Sequence, residues 1–293
     1  MRGQDSFENA AALLPGDIRD AARALPGGVK AVAEEFRLRT GLPPAVLTQE
    51  GERGMVQRAV TVRDLDSLLE AATRASAHTA LESVAAGFVT VRGGCRVGLC
   101  GTVSESEGRI LTIRRLSSAV IRIPREVKDC AGGIYPALTD GGFRDTLIIS
   151  PPGAGKTTLL RELVRMLSST YRVGLLDERG EVAGVWEGVP LFDVGPQTDV
   201  LTGADKRRGA LMLLRSMNPQ ILAMDEITAR GDLDALRTAA GCGVRLLATV
   251  HAFDRQDMLR RELYREILNC GIFERVVVIR RRGALREYEV TEL

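Results

Sequence analysis

One short segment constrains the fold of this chain more than any other: residues 147–160 read LIISPPGAGKTTLL. An apolar run leads into a loop rich in glycine and proline, and a helical pattern follows Gly155-Lys156-Thr157. Glycines at 153 and 155 permit backbone conformations that side chains resist, and the N–H groups of such loops surround phosphate oxygens at the positive end of a helix. The segment therefore predicts a phosphate-binding loop and a bound nucleoside triphosphate.

The loop departs from the usual pattern G-x-x-x-x-G-K-[ST] at its first position, where this chain has Ser150. The last three positions of the pattern are matched by Gly155-Lys156-Thr157. They supply the ammonium of Lys156 for the phosphates and the hydroxyl of Thr157 for Mg²⁺. We expect the following residues to bind the nucleotide: Ser150, Pro151, Pro152, Gly153, Ala154, Gly155, Lys156, Thr157 and Thr158.

Composition limits the classes of function. The 293 residues, 45% of them hydrophobic, can bury the cores of two ordinary domains. A net charge of +2 and an aromatic content of 4% argue against nucleic acid as a partner. Five cysteines and two histidines offer few zinc ligands, so we expect reduced thiols in a cytoplasmic protein. The sequence has no uninterrupted run of about eighteen apolar residues, so it predicts no membrane span.

From residue 145 onward, apolar strand patterns alternate with helical ones, which is typical of a parallel α/β sheet. Strands are predicted at 145–150, 172–178, 220–226, 245–251 and 275–280, and helices at 157–168, 206–217, 232–240 and 255–270. The last residues predict a hairpin that turns at Gly283.

The first part of the chain has a different pattern. A helical segment at 61–86 precedes short strand-like runs that begin at residues 88, 96, 109 and 119, separated by turns at Gly93-Gly94 and Glu107-Gly108. This order predicts an α+β domain with an antiparallel sheet. The predicted domains are 1–130 (α+β), 131–143 (a linker) and 144–293 (the phosphate-loop domain with a mainly parallel sheet).

Two carboxylates, Asp225 and Glu226, end the apolar run QILAMDE. The carboxyl ends of parallel strands face the ligand in such sheets, so Asp225 would orient Mg²⁺ and Glu226 would polarise the attacking water. The alternative is an acidic pair that only favours the start of the next helix. The position of the pair, about seventy residues after Lys156, favours the metal site.

Polar residues also end two other predicted strands. Thr249 and His251 follow one apolar run, and Asp177, Glu178 and Glu181 follow another. Each group can help to arrange a nucleotide site, but a hydrogen-bonding histidine and a solvated acidic turn explain these residues equally well. Because the Asn-Lys-x-Asp element of guanine-specific proteins and the Leu-Ser-Gly-Gly-Gln signature of transporter cassettes are both missing, ATP is favoured and a transporter cassette is not.

Eight segments in order carry a resemblance to a known family: EEFRLRTG, GFVTVRGGCRVGLCGTV and IRRLSSAVIRIPRE, then SPPGAGKTT, LDERGEVAG, DVGPQTDVLTG, LLRSMNPQILAMDE and ATVHA. This set resembles the stage III sporulation protein AA family, relatives of the type II and type IV secretion ATPases. It covers most of the chain, and a serine at position 150 is common in that family.

The resemblance implies a RecA-like ATPase that binds ATP and Mg²⁺. It implies a homo-oligomeric ring, expected to be a hexamer, at the cytoplasmic face of a membrane. The implied partners are integral-membrane proteins of a channel between mother cell and forespore, and the location is the mother-cell cytoplasm. Two other hypotheses remain: a nucleic-acid-dependent ATPase, and a scaffold gated by nucleotide binding.

The resemblance also implies roles for particular residues. Asp177 to Glu181 match an acidic box, Asp225-Glu226 the Walker B element, and Thr249 to His251 a histidine box. The implied catalytic residues are Lys156, Glu226, His251, Asp177 and Glu178, and the implied metal ligands are Thr157 and Asp225. In the family, arginines from the first domain or a neighbouring subunit reach the γ-phosphate; the candidates are Arg96, Arg114, Arg115, Arg122 and, less directly, Arg215.

Overall fold

A computed structural model describes residues 3–73, 84–85, 87–91, 94–106, 108–124, 126–185, 188–282 and 285–293. The chain divides into two compact units, Met1–Glu126 and Val127–Leu293. Residues 127–143, expected above to be a domain end and a linker, group with the second unit, where Ala131, Ile134 and Leu138 are buried in its core.

In the first unit, six strands of the described residues form an antiparallel sheet in the order β3-β2-β1-β6-β5-β4. The strands are β1 (Glu35–Arg39), β2 (Ala45–Thr48), β3 (Gly51–Gly54), β4 (Phe88–Val91), β5 (Cys95–Ser106) and β6 (Arg109–Arg122). The helices whose bounds lie within the described residues are α1 (Gly3–Ala12), α2 (Gly16–Arg23), α3 (Gly27–Val32) and α4 (Val62–Thr73).

Alternating burial along the strands positions the core of this unit. In β1 every second side chain points inward, which buries Phe36 and Leu38 beside Leu65 and Leu68 of α4. Phe7 of α1 packs edge-on against Phe36, with ring centroids 5.2 Å apart. The helices therefore cover one face of the sheet with apolar side chains.

The described residues of the second unit form a seven-stranded sheet in the order β13-β12-β7-β11-β10-β8-β9, in which the edge strand β13 is antiparallel to β12 and the other neighbours pair in parallel. The strands are β7 (Thr146–Ser150), β8 (Val173–Asp177), β9 (Thr198–Thr202), β10 (Ile221–Met224), β11 (Arg245–His251), β12 (Arg275–Arg282) and β13 (Leu285–Glu292). The helices are α5 (Tyr135–Thr139), α6 (Lys156–Leu167), α7 (Lys206–Ser216), α8 (Arg230–Gly241), α9 (Arg255–Arg260) and α10 (Glu262–Asn269).

The central strands are buried on both faces. Every residue of β7, β8 and β10 is buried, which explains their continuous apolar runs. Two separate apolar clusters pack against this sheet, and they contain alternate residues of the same strands, such as Leu147 and Ile149 in one and Ile148 in the other. Ser150, Asp177 and His251 are the last residues of β7, β8 and β11. Because these strands are parallel, all three residues lie at the carboxyl-terminal end of the sheet.

The predicted fold class is confirmed: a smaller α+β unit precedes an α/β unit with a largely parallel sheet. The predicted hairpin is formed by β12 and β13, although its turn at Gly283 lies outside the described residues. The same is true of Gly93, of Glu107 and of most of the predicted helix after Thr73.

Several elements differ from the prediction. The edge strand β9 was not predicted, because the sequence TDVLT is only partly buried and carries no apolar run. The helix predicted at 255–270 is two helices, since Arg261 has extended φ and ψ angles of −102° and 125°. The runs that begin at 109 and 119 form one strand, β6, while β1 to β3 and α1 to α3 were not predicted.

The longest helices of the described residues have 12 residues, and none is both long and apolar enough to cross a membrane. The five cysteines are free thiols.

Gly101 and Gly98 in β5 provide a test of the β5–β6 packing. A Cβ atom at Gly101 would lie 1.9 Å from the carbonyl oxygen of Arg115, whereas one at Gly98 would have its nearest contact at 3.9 Å. We expect Gly101→Ala to lower the free energy of unfolding by about 2 kcal/mol or more, because backbone must move. Gly98→Ala should change it by less than about 1 kcal/mol. Urea unfolding of both variants measures this, and equal effects would contradict the close approach at Gly101.

Candidate active site

The phosphate-binding loop connects β7 to α6 with the expected backbone. Gly153 and Gly155 have φ angles of 72° and 104°, the left-handed region in which a glycine avoids steric cost. Helix α6 begins at Lys156, so the free N–H groups of its first turn point toward the loop. Ser150 is fully buried, and its hydroxyl donates to the carbonyl oxygen of Pro151. The serine is thus accommodated by a hydrogen bond within the loop.

The carboxylate of Asp225 is held between two hydroxyl groups. Thr157 Oγ1 donates to Asp225 Oδ2 over 2.9 Å, and Thr249 Oγ1 donates to Asp225 Oδ1 over 2.6 Å. A hydroxyl and a carboxylate beside a phosphate loop are the hard oxygen donors that Mg²⁺ prefers. Among the described residues, no cluster of three or more His, Cys, Asp or Glu side chains could hold a metal alone. These two residues therefore fit a Mg²⁺ ion that also takes phosphate and water ligands.

Glu226 is held from both its backbone and its side chain. Its φ angle is 56°, in the left-handed region, and its N–H donates to Thr249 Oγ1 over 2.8 Å. Its Oε1 lies 2.6 Å from His251 Nε2, and its Oε2 accepts a hydrogen bond of 2.8 Å from Arg179. Strained backbone of this kind persists where the surroundings over-determine it, which is frequent at functional sites.

Lys156 extends this set of contacts. Its ammonium lies 2.8 Å from Nδ1 and 3.0 Å from Nε2 of His251. Burial lowers the pKa of Lys156, while the carboxylates of Asp225, Glu226 and Glu181 act in the opposite direction. Lys156, His251, Glu226 and Arg179 thus form a continuous series of polar contacts, which we call the charge chain. It places an ammonium, an imidazole and a carboxylate within reach of one phosphate group.

Asp177 has mainly a structural set of contacts. It is 2% exposed and accepts hydrogen bonds from the backbone N–H groups of Glu181, Val182 and Ala183 over 2.8 to 3.0 Å. Burial raises the pKa of Asp177, while the backbone hydrogen bonds act against that rise. The carboxylate therefore shapes the turn after β8, and its predicted catalytic role remains a prediction.

Glu178 pairs with a lysine that the sequence analysis did not single out. Lys206, 5% exposed at the start of α7, donates to Glu178 over 2.7 Å and lies 4.0 Å from Asp232. Asp232 in turn accepts hydrogen bonds from the N–H groups of Thr228 and Ala229, which follow Glu226. Lys206 thereby joins the turn after β8 to the turn after β10, and Glu178 has a structural partner.

These side chains surround a small cavity whose lining is strongly acidic. The lining residues are Asp177, Glu178, Arg179, Glu181, Lys206, Asp225 and Glu226. Carboxylates outnumber cations in this lining, so the cavity has a negative electrostatic potential. Arg179 and Lys206 were missed because each acts through a partner 28 or more residues away, which no local pattern reveals.

The candidate arginines of the first unit lie in two places. Arg96 and Arg122 are opposite each other across β5 and β6, and with Arg37 they line a cavity of about 340 Å³. Arg96 stacks on Phe88, with 3.8 Å between the guanidinium carbon and the ring centroid. Arg114 and Arg115 lie exposed further along β6. In the second unit, Arg215 lies exposed in the last turn of α7.

The fold matches that of an ATPase and of a pilus motor of known structure. The Legionella pneumophila ATPase DotB matches 88% of this chain and 77% of its own, with a TM-score of 0.58 and 19% identity. The pilus retraction motor PilT, solved with bound ADP, matches 89% of this chain and 79% of its own, with a TM-score of 0.57 and 17% identity. At these identities the likeness concerns the fold alone.

The family is shown by closer similarity. Residues 8–288 match the family described as "Sporulation stage III, protein AA". The stage III sporulation protein AA of Bacillus subtilis (strain 168) is 34% identical over 278 residues, which are 92% of this chain and 90% of that protein. Because the match runs through both compact units, the chain belongs to the stage III sporulation protein AA family.

Proposed function

We propose that this protein hydrolyses ATP with Mg²⁺, and that hydrolysis powers or organises a secretion-like channel complex in sporulation. One observation carries the proposal. Lys156 of the phosphate-binding loop, Asp225 and Glu226 lie at one edge of the parallel sheet, joined through Thr157, Thr249 and His251. This set contains a phosphate-binding cation, a metal-binding carboxylate and a candidate base.

Phosphate binding would be the work of the loop and of Lys156. The backbone N–H groups of the loop and of the first turn of α6 would surround the β- and γ-phosphates. The ammonium of Lys156 would exchange its contact with His251 for one with the phosphates. An anion at this position favours the charged form of a lysine whose pKa is lowered by burial.

Mg²⁺, when bound, would offset the charge of the phosphates. The hydroxyl of Thr157 would hold it directly, and the carboxylate of Asp225 directly or through water. Mg²⁺ usually keeps several waters and takes few protein oxygens, which agrees with a site of two protein ligands.

Glu226 is the candidate base. It would take a proton from the attacking water as the water oxygen bonds to the γ-phosphorus and the bond to the β-phosphate oxygen breaks, releasing ADP and phosphate. Its two carboxylate oxygens are occupied by contacts with Arg179 and His251. We infer that these contacts loosen before the proton is transferred, which would keep the basal rate low.

The proposed assembly is a ring of identical subunits, expected to be a hexamer, at the cytoplasmic face of a membrane complex. Support comes from the family and from the fold, which DotB and the motor PilT share. Arg96 and Arg122 are the first candidates for an arginine that reaches the γ-phosphate of a shared site. The integral-membrane partner and the mother-cell location follow from the family resemblance and remain part of the proposal.

Replacing Glu226 with Gln tests the chemistry. The amide keeps the size of the side chain but cannot accept the proton, so we expect unchanged ATP binding and a turnover at least about 100-fold lower. Phosphate release and binding of a fluorescent ATP analogue measure the two quantities. Glu105→Gln, a change at an exposed position of β5, serves as the control. A Glu226→Gln protein that turns over at near the wild-type rate would rule out this base, and one that still supports sporulation in the cell would favour a nucleotide-gated scaffold.

Replacing Asp225 with Asn tests the metal site. Because the amide lacks the negative charge, we expect the affinity of the nucleotide complex for Mg²⁺ to fall about 10- to 100-fold. Binding of ADP in EDTA should stay at the wild-type level. A Mg²⁺ titration of nucleotide binding gives both values, with exposed Asp199→Asn as the control. Equal Mg²⁺ affinities in Asp225→Asn and wild type would contradict the assignment.

Mixing two inactive variants tests whether the site is shared between subunits. If Arg96 acts on a neighbour's nucleotide, Arg96→Ala and Glu226→Gln should each be nearly inactive, since such arginines contribute about 10³ to 10⁵ in rate. The mixed protein should then regain part of the activity, because some interfaces combine an intact Arg96 with an intact Glu226. Co-expression of the two variants gives the mixed protein, and a phosphate-release assay measures the recovery. Absence of recovery would place the arginine and Glu226 in the same subunit.

A further inference from the structure

The closed end of the β12–β13 hairpin extends past the strand that leads into the phosphate-binding loop. β12 runs parallel to β7 and pairs with it from Arg275, opposite Thr146, to Val278, opposite Ile149. The last four residues of β12 continue in the same direction, and β13 returns with Leu285 opposite Arg282. The hairpin therefore reaches the level of the loop on the side of β7 away from β10 and β11.

One side chain of this hairpin contacts the loop directly. Arg286 Nε donates to the carbonyl oxygen of Ala154 over 2.9 Å. A Cβ atom at Gly155 would lie only 2.7 Å from that Nε and 3.2 Å from Cδ of Arg286. The guanidinium group thus lies against the peptide that joins Ala154 to Gly155, and the missing side chain of Gly155 makes room for it.

This contact fixes the direction of a donor inside the loop. A trans peptide is planar, with its C=O and N–H groups pointing in opposite directions. When Arg286 holds the carbonyl of Ala154 on the outer side, the N–H of Gly155 is turned toward the inner side. The inner N–H groups of such a loop are the ones that bind phosphate oxygens.

The hairpin that carries Arg286 is itself firmly attached. Tyr288, two residues further on the same face of β13, packs with Val290 against the apolar cluster that includes α6. Its hydroxyl hydrogen-bonds with the thiol of Cys130, and burial raises the pKa of Tyr288 to about 12. On the other face, Arg280 pairs with Glu289 over 2.8 Å. Among the salt bridges of the described residues, Arg286 has no carboxylate partner that would draw it from the loop.

We propose that Arg286 is a positioning residue for the phosphate-binding loop, and that the β12–β13 hairpin is the outer support of the nucleotide site. The inference rests on the proposed nucleotide-binding function. Because Arg286 and the carboxylates Asp225 and Glu226 lie on opposite sides of β7, its effect falls on phosphate binding and not on the chemical step.

The test compares Arg286→Ala with Arg282→Ala in the full-length protein. Both variants remove one arginine from the same hairpin, but Arg282 pairs with Glu287 on the other face. We expect Arg286→Ala to weaken the binding of Mg-ADP and of Mg-tripolyphosphate equally, by about tenfold, the effect of one charge-assisted hydrogen bond. The KM for ATP should rise by the same factor and kcat should change less than about twofold. Arg282→Ala should match the wild type in every value.

Other outcomes would overturn the inference. Wild-type affinity for tripolyphosphate in Arg286→Ala would show that the loop needs no support from the hairpin, and a loss confined to ADP would make Arg286 a nucleoside contact instead. A fall in kcat with KM unchanged would contradict a role in binding. If the alanine variant does not fold, Arg286→Gln gives the same comparison. A wild-type protein that binds neither ADP nor tripolyphosphate would refute the proposed function itself.

Discussion

The geometry of the site depends on two hydrogen bonds made by the hydroxyl group of Thr249. It is fully buried, donates to Asp225 over 2.6 Å and accepts the N–H of Glu226 over 2.8 Å. One side chain on β11 therefore positions the carboxylate of Asp225 and the backbone of Glu226, the two residues that follow β10. Asp225 then accepts from Thr157, which ties the two strands to the helix after the phosphate-binding loop. A buried hydroxyl group without hydrogen-bond partners would destabilise the fold. The Thr249 hydroxyl both donates and accepts, so its burial does not carry that cost.

The sequence predicted those parts of the molecule that depend on local pattern and on a general rule of parallel sheets. Continuous apolar runs indicated β7, β8, β10 and β11. Because the carboxyl ends of parallel strands lie at one end of the sheet, the sequence also predicted that Lys156, Asp225, Glu226 and His251 are close together. Short elements such as β1 to β3 and α1 to α3 carry too few residues for a period to be read. Arg179, Lys206 and Arg286 were beyond prediction, because their partners lie 28 to 132 residues away.

The charge chain links two cationic side chains through an imidazole and a carboxylate. Lys156 and Arg179 stand at its two ends, and His251 and Glu226 lie between them. In the proposed function, a phosphate that binds Lys156 would have to replace the contact of this lysine with the imidazole, and part of the intrinsic affinity would be lost in rearranging the protein. In return, the polar groups would already be close to the positions that the proposed reaction requires, which would limit reorganisation during that reaction.

The left-handed backbone of Glu226 sets two selective pressures against each other at a single position. At a φ of 56°, any residue with a side chain costs about 1–2 kcal/mol relative to glycine. Glycine at position 226 would therefore relieve the strain of the turn, but it would also remove the carboxylate. Stability alone would therefore favour glycine at this position, and the proposed role of Glu226 in hydrolysis would be the reason for an acid there. If Glu226 is the base proposed above, a relative that uses the fold only as a passive platform could carry glycine at the position after Asp225, whereas a relative that hydrolyses nucleotide could not.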